Sequence, residues 1–75
     1  MATTARTITA QARRDVDAHL ELVKGDGYCY WVYDAAEANI FETESVYVPR
    51  ISDLTVSAWL DHARDLVDFV NEERK

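Results

Sequence analysis

Six consecutive residues, Tyr28-Cys29-Tyr30-Trp31-Val32-Tyr33, constrain this chain more than any other stretch. They are aromatic, β-branched or thiol-bearing, and Gly27 and Asp34 bound them, which is the composition of a strand. Side chains alternate along a strand, so Tyr28, Tyr30 and Val32 point one way and Cys29, Trp31 and Tyr33 the other. Neither set is polar. A strand apolar on both faces is ordinarily covered on both. At 75 residues the chain makes one domain, spanning 1–75, with residues 1–8 read as a flexible polar tail. A domain this short buries only about 60% of its unfolded surface, so every core residue matters.

Ahead of the strand, Ala12, Val16, Leu20 and Val23 recur at helical intervals, predicting a helix from Ala10 to Lys24. Thr7 or Thr9 would cap its start, and Gly25-Asp26-Gly27 would end it. After a turn over Asp34 to Ala38, residues Asn39 to Val48 read as one bent strand or two short ones. Glu42, Thr43, Glu44 and Ser45 interrupt their apolar pattern as a bulge or second turn would. Pro49 stops the ladder, having no N–H to donate. The last segment is a helix. Thr55 caps it, Leu54 and Trp59 take the positions of a hydrophobic staple, and Val56, Trp59, Leu60, Ala63, Val67 and Val70 form an apolar stripe with Leu66 at its edge. The expected class is α+β: a helix, a two- or three-stranded antiparallel sheet, and a helix, with both helices on one sheet face.

Charge narrows the function. The net is −6, and its distribution is uneven. Between Asp26 and Glu73 there are eleven acids and two bases, Arg50 and Arg64, whereas residues 1–25 carry a net of +1. Such a field repels nucleic acid and anionic membranes and steers a basic partner. On the final helix Asp61, Asp65, Asp68 and Glu72 fall within about 60° of one another, opposite the apolar stripe. A solvated helix face usually mixes signs; this one has only Arg64 among its acids. Tyrosine and tryptophan are enriched in binding hot spots. With both helices on one face, an open aromatic face flanked by Glu42 and Glu44 would dock a protein or pair with its own copy. The exposed members of Tyr28, Tyr30, Trp31, Tyr33 and Tyr47 would be its anchors.

Catalytic and metal sets are thin. His19 and His62 are the only histidines and Cys29 the only thiol. Asp15 and His19, one helical turn apart, make two ligands, short of a site. Cys29 lies inside an apolar strand, the setting of a structural thiol and not of a nucleophile. Gly25-Asp26-Gly27 is too short to cradle a phosphate. The chain therefore reads as a non-enzyme without cofactor or metal. The longest apolar run, six residues, falls far below the roughly 20 that span a bilayer. No secretory signal core opens the sequence, and a lone thiol suits a reducing compartment, so the expected location is the cytoplasm.

The segments Gly27-Tyr28-Cys29-Tyr30-Trp31-Val32-Tyr33-Asp34, Ser45-Val46-Tyr47-Val48-Pro49-Arg50 and Asp53-Leu54-Thr55 leading to Trp59-Leu60 resemble small uncharacterised proteins of phages and mobile elements. The resemblance covers roughly residues 25 to 65 and carries no catalytic motif. In size, charge and architecture the chain is also similar in type to anti-CRISPR proteins, a set of unrelated small folds. That likeness implies an inhibitor that blocks nucleic-acid binding or nuclease recruitment. In the host cell such a protein would cover the phosphate-binding surface of a basic or nucleic-acid-handling protein. Asp61, Asp65, Asp68, Glu72, Glu42 and Glu44 would supply the charge. The alternatives are a homodimeric structural or accessory protein and an antitoxin that shields a toxin.

Overall fold

A computed structural model describes residues 4–73. Helix α1 spans Ala5–Asp15, strands β1, β2 and β3 span Leu20–Lys24, Cys29–Ala35 and Ile40–Val46, and helix α2 spans Val56–Glu73. The strands form one antiparallel sheet in the order β1-β2-β3, and both helices lie on the same face of it. The α+β class and the helix–sheet–helix order are as the sequence reading expects. Among the described residues no helix is long and apolar enough to cross a membrane.

The first element departs from that reading. The segment 10–24 is not one helix: α1 begins at Ala5 and stops at Asp15, and Leu20–Lys24 is a strand. Thr4 is the cap, its hydroxyl accepting the Thr7 N–H at 3.2 Å, in place of Thr7 or Thr9. Asp17 breaks the helix. Its carboxylate accepts the His19 backbone N–H at 2.9 Å, a local turn that competes with helical bonding. Beyond it Leu20 and Leu22 are buried and Glu21 is exposed, the alternation of a half-buried strand. Residues 4–8 are likewise not a tail, since Ile8 is fully buried in the core. Residues 1–3 of the expected tail lie outside the described residues.

The hairpin between β1 and β2 turns through Gly27, whose φ of +80° is costly for any residue with a Cβ. The β2–β3 connection is a short 3-10 turn, Ala36–Ala38, closed by Asn39 in the left-handed conformation. Residues 40–46 form a single strand whose register with β2 runs unbroken from Ala35↔Ile40 to Cys29↔Val46. No bulge interrupts it. Glu42 and Glu44 break the apolar pattern because they sit at the sheet margin beside α2, not because the strand ends there.

Core packing follows from β2. Cys29, Trp31, Tyr33 and Ala35 are buried under the helices with Leu20, Leu22 and Val46. Helix α1 packs over β1, and α2 lies over β2 and β3. Thr55 caps α2 by accepting the Ala58 N–H at 3.1 Å. Trp59, Leu60, Ala63, Leu66 and Val70 are its buried residues. Leu66 is central to that stripe, and Val67 takes the flank. Two indoles tie the layers together. Trp31 Nε1 donates to the Trp59 carbonyl at 3.0 Å, and Trp59 Nε1 donates to the Ile51 carbonyl at 2.9 Å.

Candidate protein interface

The two faces of β2 have different fates, and this sorts the aromatic residues. Trp31 and Tyr33 point into the core, with exposures of 0% and 4%, so neither is an anchor for a partner. The Tyr33 hydroxyl is also engaged, donating to Asp17 Oδ2 at 3.3 Å. Tyr28, Tyr30 and Tyr47 lie on the opposite face, which no part of the described chain covers. Their rings form a cluster: Tyr28 stands 5.8 Å from Tyr30 and 6.3 Å from Tyr47, both pairs tilted. Phe41, 65% exposed, and the half-buried Val23 and Val32 extend the same face. Phe41 escaped the sequence reading. The period-two set Phe41, Thr43, Ser45, Tyr47 is the signal that could have found it.

The acids divide as well. Asp61, Asp65, Asp68 and Glu72 are exposed on α2, with Asp65 on the flank nearest β3. Arg64 pairs with Asp61 at 3.1 Å and leaves the group strongly negative. Glu42 and Glu44 do not flank the aromatic face. They pair in register with Tyr33 and Trp31, so their side chains lie on the helix-covered side and join the acids of α2. Glu44 Oε2 stands 3.2 Å from His62 Nδ1. Asp65 lies close by, and ligand-type atoms of Glu44, His62 and Asp65 fall within 4.8 Å of one another. That set offers three donors to a divalent ion. Three donors fall one short of a closed four-ligand site.

Asp15 and His19 do not form a ligand edge, because His19 lies beyond the end of α1. Instead His19 bridges two carboxylates, Nδ1 to Asp17 Oδ1 and Nε2 to Glu37 Oε1, each at 2.7 Å. Hydrogen bonds to Asp17 and then Glu37 raise the His19 pKa above its ordinary 6.5. The pKa of Glu37 falls below its ordinary 4.5 through its own backbone N–H and then through His19. Stability from His19 is thus complete below about pH 6.5 and is lost as pH rises through the raised value. Stability from Glu37 is complete above about pH 4.5 and is lost as pH falls through the lowered value. Between those limits both act. Replacing His19 with glutamine should therefore lower the melting temperature more at pH 6 than at pH 9. Melting curves of both proteins across that range check this, and an equal difference at both ends would contradict the bridge.

Cys29 is fully buried, and burial, with Asp53 adding to it, pushes its thiol pKa up. A protonated, enclosed thiol is a packing group. A cleft of about 750 Å³ opens where the start of α1, the 51–53 turn and the start of α2 meet. Ala5, Ile51, Leu54 and Val56 line it with Lys24, Arg50 and Asp53, and neither histidine nor cysteine reaches it. Comparison of the chain with protein-family models, curated proteins and solved structures yields no match.

Proposed function

We propose that this chain is an acidic protein-binding module of the phage-inhibitor type. It docks on a basic, nucleic-acid-handling protein and occludes the surface that holds phosphates. The observation that carries this reading is the near-uniform negative face of α2, Asp61, Asp65, Asp68 and Glu72, reinforced from the sheet by Glu42 and Glu44. Carboxylates at this spacing can engage several lysines or arginines of one groove, and the field speeds encounter with them. Tyr28, Tyr30 and Tyr47 add aromatic area that a partner can desolvate. Binding, not catalysis, is the activity. The second reading, a homodimer, is favoured by one observation: the open face of the sheet carries an uncovered aromatic cluster, Tyr28, Tyr30 and Tyr47. The experiment is to capture the partner from cell lysate on immobilised chain, identify and purify it, and measure its affinity against salt and nucleic acid. Occlusion requires that affinity fall as salt rises and that DNA or RNA compete. Indifference to both would refute it.

A further inference from the structure

A three-stranded sheet has two edges, and this fold covers only one of them. On β1 the outward N–H of Leu22 donates to Thr9 Oγ1 at 2.9 Å, and the outward carbonyl of Leu20 accepts from Arg13 Nε at 2.8 Å. Helix α1 thus caps that edge with side chains. The β3 edge has no counterpart. Tyr28 O accepts from the Gly25 N–H at 2.8 Å and the Asp34 N–H donates to His19 O at 3.2 Å, so the even-numbered residues of β2 bond to β1. Its odd-numbered residues face β3 and take the backbone groups of Ile40, Glu42, Glu44 and Val46. Phe41, Thr43 and Ser45 consequently present their N–H and C=O groups outward, and among the described residues no side chain caps them. Natural edge strands are commonly blunted by lysine, proline or a bulge. Residues 40–46 contain none of these.

What guards this edge is charge. Glu42 and Glu44 flank it on the helix side, Asp65 stands beside Glu44, and Glu73 shares a cleft of about 250 Å³ with Phe41, Glu42 and Val70. On the other side lie Phe41, Thr43, Ser45 and Tyr47, uncharged and exposed. A second copy fits this edge badly. Antiparallel pairing centred on Thr43 would set Glu42 of each chain opposite Glu44 of the other, and like charges directly opposed destabilise a sheet. A basic strand fits it well. We propose that β3 is a docking edge to which an extended segment of a basic partner adds as a fourth strand. Lysine or arginine at alternate positions would face Glu42, Glu44, Asp65 and Glu73, and apolar residues between them would face Phe41 and Tyr47. The proposal rests on the reading of this chain as a binder of basic proteins and adds the mode of binding.

The probe is a blocked peptide about seven residues long, alternating lysine and valine, with a control of the same composition in two blocks. Amide exchange of the Phe41, Thr43 and Ser45 N–H groups, followed by NMR, should slow about tenfold or more on saturation with the alternating peptide. The block-ordered control should bind about tenfold more weakly. Thr43→Pro should abolish binding of the alternating peptide while leaving the circular dichroism spectrum unchanged, because the fold does not use the Thr43 N–H. If that variant fails to fold, the exchange result on the native chain decides. Absence of binding, saturation without protection of those amides, or equal affinity for the two peptides overturns strand addition. Equal affinity would leave docking on the acidic face standing, since that reading is decided by salt, by nucleic-acid competition and by the α2 carboxylates. Protection of the edge amides without peptide, at twice the monomer mass, would assign the edge to a second copy and overturn the proposal.

Discussion

Replacing Trp59 with alanine is expected to destabilise the domain by about 3–5 kcal/mol, the usual range for truncating a buried large aromatic. Trp59 is fully buried, and its indole N–H holds the Ile51 carbonyl of the turn that leads into α2. Its backbone carbonyl in turn receives the Trp31 indole from the centre of β2. Truncation therefore leaves a cavity and loosens a residue through which α2, the 51–53 turn and the sheet are joined. Native domains are stable by about 5–15 kcal/mol, and one this small belongs near the bottom of that range. Most of the protein should be unfolded at 37 °C. Urea titration followed by circular dichroism measures the change. Trp59→Phe separates the contributions, keeping a large apolar ring but leaving the Ile51 carbonyl only its longer bond from the Leu54 N–H at 3.4 Å, at a cost of about 0.5–1.5 kcal/mol. An unchanged melting temperature in Trp59→Ala would contradict the packing described.

The second large effect concerns binding. Reversing Asp61, Asp65 and Asp68 to lysine should abolish capture of the basic partner and leave the fold in place. All three side chains are exposed on α2, Asp65 on the flank that meets Glu44 of β3. The structural cost is small: the Asp61–Arg64 pair becomes a like-charge pair one turn apart, worth roughly 0.2–0.5 kcal/mol. The change also moves the net charge from −6 to 0, so a control must match it. Reversing Asp15, Glu21 and Asp26 gives the same net charge on exposed positions outside α2. If the α2 face is what the partner meets, the first set loses binding and the control keeps most of it. If both lose it equally, overall charge and not this face governs association.

The sequence announced these elements unequally, for physical reasons. Helix α2 was legible because its cap, staple and stripe all agree, and β2 because no other element suits six apolar residues bounded as these are. The segment 10–24 was misleading. Ala12, Val16, Leu20 and Val23 satisfy a helical period while Leu20, Glu21 and Leu22 satisfy a strand period, and pairing with β2 decides between them. The Asp17 turn enforces the break. The acids of α2 were readable as an exposed face from spacing alone. Which side of β2 the helices cover was not, so Trp31 and Tyr33 stood beside Tyr28 and Tyr30 as anchors until the core claimed them. Glu42 and Glu44 read as flanking the aromatics because parity relates them to Tyr33 and Trp31 only once the register is known. The His19 bridge depends on Glu37, eighteen residues away, and no local pattern signals it.

The most direct test of the account is a competition measurement on the purified partner with three proteins: the native chain, the α2 triple reversal and the charge-matched control. The account predicts that the native chain and the control displace bound DNA or RNA from the partner, less effectively as salt rises, and that the α2 reversal displaces none. Displacement by the α2 reversal as strong as by the native chain would show that those carboxylates serve solubility and would contradict occlusion by the acidic face.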